Sequence, residues 1–140
     1  MVIKFLSQYI KQLTGLSMLL FLSLAMSAQN SGQLKWQVSS QKINEKEYTI
    51  TAKGIVTNGW RVYSNKTIID GLEKAAVNFT DSSIKKEGDA AITGAEKIIT
   101  DPVFQQKATV VEQEVILSQK IIFTNTVPAN LKILLSYSFA

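Results

Sequence analysis

Cysteine and histidine are both absent from this 140-residue chain. Without thiols the chain can form neither a disulfide nor a dithiol redox couple, and without imidazole the common serine–histidine and cysteine–histidine nucleophiles cannot be assembled. Carboxylates remain as candidate acid–base groups: Glu45 and Glu47 lie two positions apart, as do Glu112 and Glu114. Paired carboxylates hydrolyse glycosides in some enzymes. On exposed strand faces such pairs mostly solubilise the protein, so we expect no catalytic residue and no cofactor.

Aspartates suggest a calcium site, but their spacing does not favour one. Asp70, Asp81, Asp89 and Asp101 all lie near expected turns. They lack the D-x-D-x-D-G spacing of a calcium loop, and aspartate is a common turn-forming residue. We therefore expect these side chains to shape turns and to bind no metal.

The segment Gly59 to Ser64, which reads GWRVYS, offers a candidate protein contact. Successive side chains of a strand point to opposite faces. Trp60 shares parity with Val62 and is expected in the core. Arg61 and Tyr63 would then form an exposed pair of the aromatic-plus-arginine kind that is enriched in protein interfaces, with simple surface packing as the alternative.

The elements that must position these residues are strands. Four segments alternate apolar and polar residues with period two, which is typical of strands with one buried face. We expect shorter strands at 60–63, 75–80 and near 91–96. The residues expected to point inward are Leu34, Trp36, Val38, Tyr48, Ile50, Ala52, Gly54, Val56, Val111, Val115, Leu117, Ile121, Phe123, Leu131, Ile133, Leu135, Tyr137 and Phe139. The expected turns are Asn44-Glu45-Lys46, Asn58-Gly59, Asp70-Gly71, Gly88-Asp89, Asp101-Pro102 and Val127-Pro128.

No segment after residue 28 shows a helical apolar stripe. About seven short strands in roughly 110 residues predict an all-β fold, an immunoglobulin-like antiparallel β-sandwich, with a small barrel as the competitor. Residues 34–140 would form this single domain, with a domain truncated at its C-terminal end as the alternative. The last strand is expected to run to Phe139 and Ala140. It would be an ordinary paired strand, or else an exposed edge to which another chain could add a strand.

Residues 1–28 have the features of an export signal. Lys4 and Lys11 precede an apolar run from Leu13 to Ala25, which is too short to span a bilayer comfortably. We expect cleavage after Ala28, or after Ser27, and a periplasmic or secreted protein. An uncleaved membrane anchor is the alternative. Residues 29–33 would be a flexible lead-in.

The charge of the mature chain argues against a nucleic-acid partner. Removing Lys4 and Lys11 from the 15 basic residues leaves 13 against 11 acidic ones, a net charge of +2. Basic residues are scattered apart from Lys85-Lys86. We therefore expect no nucleic-acid binding and no membrane span once the leader is removed.

Several of these segments together resemble a known family. They are Leu34-Lys35-Trp36, the strand Tyr48 to Ala52, Gly59 to Ser64, and the stretch from Val111 to Ile121. In this order they resemble the N-terminal domain of the thiol:disulfide interchange protein DsbD, over roughly residues 34–137. The motifs are moderately specific, because Trp and Tyr are common core residues of strands.

The resemblance implies an immunoglobulin-like periplasmic domain. In the family, this domain carries electrons between a membrane-embedded domain and periplasmic thioredoxin-like proteins, in pathways that include cytochrome c biogenesis. The family uses two cysteines just beyond the strand that matches Leu131 to Phe139, and this sequence contains neither. One hypothesis is thus an interaction domain without redox chemistry. A second is a fragment of a reductase whose cysteines lie beyond Ala140, and a third is a secreted β-sandwich that binds a carbohydrate or peptide.

Overall fold

The computed structural model describes residues 2–4, 34–57 and 59–140. Apart from residues 2–4, the expected leader (1–28) and lead-in (29–33) lie outside the described residues. The described ranges contain strands and turns and no helix, as the alternation predicts. The strands are β1 (Val2–Lys4), β2 (Leu34–Lys42), β3 (Glu47–Val56), β4 (Val62–Tyr63), β5 (Ala76–Phe79), β6 (Ile84–Thr100), β7 (Lys107–Phe123) and β8 (Asn130–Ser136).

The strands form two antiparallel sheets. The large sheet has the order β2-β3-β7-β4, and β6 pairs along the other edge of β7. The small sheet has the order β1-β8-β5, in which β1 pairs with the first residues of β8. No helix in these ranges has the length and apolar character needed to cross a membrane.

The main hydrophobic core lies between the two sheets. Trp36, Ile50 and Leu117 from the large sheet share it with Val77 and Ile133 from the small one. The inward positions predicted for β2, β3 and β7 are all buried, and those predicted from Leu131 onward are buried or packed against the core. The arrangement is all-β and antiparallel, and it is consistent with a β-sandwich.

The strand expected near residues 91–96 is much longer than predicted, since β6 has 17 residues. Gly88-Asp89, expected to be a turn, instead lies in a β-bulge where the pairing with β7 shifts register between Glu87 and Ala91. The buried amide of Gln119 stabilises this bulge: its Nε2 donates hydrogen bonds to the carbonyls of Gly88 at 3.1 Å and Lys120 at 3.0 Å. A bulge keeps the strand continuous where turn residues would otherwise end it.

A second irregularity separates the two halves of β7. Gln113 has a φ of 64°, and the register with β6 shifts between Gly94 and Ala95. Before this bulge, both Val110 and Val111 are fully buried. Val111 contributes to the main core, while Val110 lies in a second, smaller cluster with Tyr63, Ile69 and Ala108 on the opposite face of the large sheet.

Asn65 ties the β4–β5 connection to two other parts of the chain. Its side-chain amide donates to the carbonyls of Ala75 and Ala90, both at 3.0 Å, and its Oδ1 accepts from the N–H of Ala75 at 2.8 Å. The three hydrogen bonds fix the start of the small sheet against β6. Their loss would leave backbone groups in a partly buried region without partners.

Candidate functional site: a possible partner-binding corner

The short strand β4 is hydrogen-bonded on both of its edges. It pairs with Val110 and Val111 of β7 on one side. On the other side, the Tyr63 N–H donates to the carbonyl of Ser138 at 3.0 Å, and the Ala140 N–H donates to the carbonyl of Arg61 at 2.8 Å. The expected last strand therefore divides in two: β8 ends at Ser136 in the small sheet, and residues 138–140 pair with β4 of the large one.

The sequence prediction for the side chains around β4 was wrong at two positions. Trp60, expected in the core, is 41% exposed, whereas Tyr63, expected on the surface, is only 6% exposed. Trp60 lies ahead of the strand in a turn, where its N–H donates to the carbonyl of Thr57 at 3.2 Å, so strand parity does not extend to it. Tyr63 does lie opposite Val62, but its face of the sheet is covered by the second cluster.

Tyr63 of β4 and Asp101 form a buried polar pair. The Tyr63 hydroxyl donates a hydrogen bond to Oδ2 of Asp101, which is 2% exposed. Oδ1 of the same carboxylate accepts from the N–H groups of Val103 at 2.8 Å and Phe104 at 3.0 Å. Asp101 therefore links β4 to the β6–β7 turn, and its turn-forming role is confirmed.

The environment of this pair shifts both pKa values in opposite directions. Burial, followed by the hydrogen bond to Asp101, raises the pKa of Tyr63 to about 12. The hydrogen bond from Tyr63, followed by the one from the Phe104 N–H, lowers the pKa of Asp101. At neutral pH the pair therefore consists of a neutral phenol that donates to an ionised carboxylate.

Arg61 is the member of the predicted contact pair that lies on the surface. Its Nε is 3.2 Å from Oε1 of Glu112, and the Nζ of Lys97 is 3.8 Å from the same oxygen. Because two cations share one carboxylate, this part of the surface keeps a net positive charge. Ion pairs this exposed contribute little to stability, so the guanidinium can exchange Glu112 for another acceptor at little cost.

Four aromatic rings run from this surface into the core. The centroid distances are 5.3 Å from Trp60 to Phe139, 5.4 Å from Phe139 to Tyr137, and 5.2 Å from Tyr137 to Trp36. Tilted and edge-on rings at such distances attract one another. The row holds the exposed Trp60 ring against a rigid backing of aromatic side chains.

The other candidate groups found in the sequence have structural partners. Glu114 pairs with Lys53 and Glu45 with Lys42, both at 3.1 Å. Asp81 accepts from the backbone and hydroxyl of Ser83, which lowers its pKa and identifies it as a turn residue. The described residues contain no cluster of acidic side chains that could hold a metal ion. What Trp60 and Arg61 can offer chemically is an aromatic ring and a guanidinium, which suit recognition of another protein.

Comparison with models of known protein families, with curated proteins and with solved structures gave no match to this chain. The description of the site therefore depends on its own geometry.

Proposed function

We propose that this chain is an exported, immunoglobulin-like interaction domain of the DsbD N-terminal type that binds a protein partner and has no redox chemistry of its own. The proposed partner is a periplasmic thioredoxin-like protein or a membrane-embedded electron-transfer domain. The leader would be removed after Ala28, which predicts a secreted chain that begins at Gln29. Mass spectrometry of the exported protein checks that N-terminus.

One observation carries the proposal: Trp60 is exposed and its sequence neighbour Arg61 forms an exposed ion pair, and both directly precede a strand that is hydrogen-bonded on both edges. Tryptophan and arginine are among the residues that contribute most energy to protein interfaces. Because β4 is held by β7 and by residues 138–140, the pair needs little ordering on binding. Tyr63 supports the strand from below and is too buried to touch a partner directly.

Isothermal titration calorimetry of the chain against thioredoxin-like proteins of the same organism tests the proposal. We expect binding that Trp60→Ala and Arg61→Ala each weaken by about tenfold or more. Ile43→Ala and Lys42→Ala are matched controls, because Ile43 is similarly exposed and Lys42 also pairs with a surface glutamate. Binding that these controls weaken as much as the test variants, or no binding at all, would contradict the proposal.

A further inference from the structure

The N-terminal strand β1 covers part of the small sheet's central strand. Its backbone pairs antiparallel with the start of β8, where Val2 lies opposite Lys132 and Lys4 lies opposite Asn130. β5 pairs with residues 133–136 of β8 and not with residues 130–132. Among the strands of the described ranges, residues 130–132 therefore pair with β1 alone. An unpaired strand edge presents N–H and C=O groups that can hydrogen-bond to another extended chain.

The neighbours of the small sheet place β1 and β5 on different sides of β8. β5 lies close to β6 and β7 of the large sheet, whereas β1 lies close to β2, at the other end of that sheet. The order β1-β8-β5 agrees with this placement. Without β1, the side of β8 that faces away from β5 has no neighbouring strand at residues 130–132.

The core holds β8 in place independently of β1. Leu131 is 3% exposed and Ile133 is 1% exposed, and both belong to the main core with residues of the large sheet. Pairing with β5 fixes the rest of the strand. A segment that pairs with residues 130–132 therefore meets an ordered backbone, which lowers the entropy cost of its binding.

β1 belongs to the part of the chain that the proposed cleavage removes. Residues 2–4 precede Ala28, so a chain that begins at Gln29 lacks β1 and keeps the whole of β8. The inference below rests on the proposed function in this one respect, the removal of the leader. It does not depend on the contact proposed for Trp60 and Arg61.

We propose that residues 2–4 block a strand-accepting edge of β8 from within the chain, and that removal of the leader opens this edge to an extended segment of a partner protein. The segment runs antiparallel to β8, as β1 does. It contains no proline, because proline cannot donate a ladder hydrogen bond, and it resembles the β-branched sequence Val2-Ile3-Lys4. Backbone pairing supplies the affinity in this mode of recognition.

Hydrogen exchange of the full chain, labelled with ¹⁵N, tests the contact. The variant Ile3→Pro/Lys4→Pro removes two successive N–H groups, and one of them must face β8 because the N–H groups of a strand point alternately to its two edges. We expect the amides of residues 130–132 that face β1 to exchange at least about fivefold faster, since they lose a hydrogen bond. Ile3→Val/Lys4→Arg keeps both N–H groups and should behave like the parent. Unchanged exchange in the proline variant would overturn the proposal.

A peptide shows whether the opened edge accepts a strand. The probe is a blocked peptide with the sequence of residues 1–6, added to the full-length proline variant, and its twin carries proline at its third and fourth positions. We expect the probe to restore slow exchange at residues 130–132 and to shift their amide signals, while the twin does neither. Equal effects of the two peptides, or protection centred on β2 or β5, would contradict the assigned edge.

Cutting the full chain separates this proposal from the proposed function. A protease site placed within residues 29–33 allows the folded chain to be cut and the N-terminal fragment to be removed. Exchange at residues 130–132 should then speed up as it does in the proline variant, and the residues 1–6 peptide should slow it again. Exchange as slow as before the cut would contradict the proposal, whichever N-terminus the exported protein has. An exported protein that keeps its leader would instead contradict the proposed cleavage.

Discussion

The hydroxyl of Tyr63 donates a hydrogen bond to the carboxylate of Asp101, and the two residues come from β4 and from the turn that follows β6. Both side chains are buried, and no lysine or arginine of the described ranges pairs with the carboxylate. The pair therefore fixes the position of the short strand β4 with hydrogen bonds alone.

Replacing Tyr63 with phenylalanine should lower the free energy of unfolding by about 1–3 kcal/mol, because Asp101 stays buried with one donor fewer. Tyr137→Phe is the control, since the Tyr137 side chain makes ring contacts and no hydroxyl hydrogen bond among the described residues. Urea unfolding followed by circular dichroism gives both values. Equal losses in the two variants would show that the Tyr63 hydroxyl contributes nothing.

In alkali, Tyr63 should make the folded state progressively less stable. Its pKa is about 12 in the folded protein, and that of an unfolded tyrosine is about 10. The stabilisation is therefore complete below pH 10 and is lost as the pH rises towards 12. Tyr63→Phe should flatten this dependence of unfolding free energy on pH. Ultraviolet absorbance should also show that the variant lacks the latest tyrosine ionisation.

In acid, Asp101 should make the folded state less stable as the pH falls, whereas Tyr63 does so as the pH rises. The reason is that the pKa of Asp101 is lowered in the folded protein. Its stabilising contribution is present above the ordinary carboxyl pKa and is lost as the pH falls through the lowered value. Asp101→Asn should therefore be less stable than the parent at neutral pH and should lose less stability on acidification. Thermal melts from neutral to strongly acidic pH measure the two slopes. Parallel slopes would mean that the Asp101 carboxylate does not contribute.

Gly94 should tolerate no side chain. Its φ is 151°, and a Cβ atom there would lie 2.3 Å from the carbonyl oxygen of Glu114. We expect Gly94→Ala to cost about 3 kcal/mol or more, since backbone on β7 would have to move. Gly71→Ala is the control: its φ is 81°, but no atom lies within 4 Å of the added Cβ, so about 1–2 kcal/mol of conformational strain is expected. Denaturant melts that rank the two variants in the reverse order would contradict this account of the bulge.

Asn65 should be the costliest asparagine to replace. Asn65→Ala removes three hydrogen bonds to Ala75 and Ala90 and should cost about 2–4 kcal/mol. Asn44→Ala, in the exposed β2–β3 turn, also loses three hydrogen bonds, but these are in contact with water, so it should cost only about 0.5–1.5 kcal/mol. Hydrogen exchange should also show faster exchange of the Ala75 amide in Asn65→Ala alone.

The sequence correctly predicted which residues are buried in strands that have one face in the core and the other in solvent. Leu34, Trp36 and Val38 alternate with polar residues, and all three are buried as expected. The same reasoning failed at Tyr63 and did not predict the burial of Val110, because a second cluster covers the outer face of the sheet there and both faces are apolar. Period two carries no information about which face is inside when both are covered.

Only some side-chain positions of the candidate site were predicted correctly from the sequence. Arg61 was placed on the surface correctly. Trp60 was wrongly placed in the core because strand parity was counted from a residue that precedes the strand, which begins at Val62. Tyr63 was wrongly placed on the surface because the second cluster covers its face of the sheet. Asp101 was recognised as a turn residue, but its bond to a tyrosine 38 positions earlier depends on tertiary structure.

The division of the C-terminal segment between the sheets has a mechanical consequence. Residues 130–136 are bonded into the small sheet, and Ser138 and Ala140 are bonded to β4 of the large one. Tension applied at Ala140 must first peel these last residues away from Arg61 and Tyr63, and only then does it load β8. In a single-molecule pulling experiment, residues 138–140 should therefore detach from β4 before the two sheets unfold.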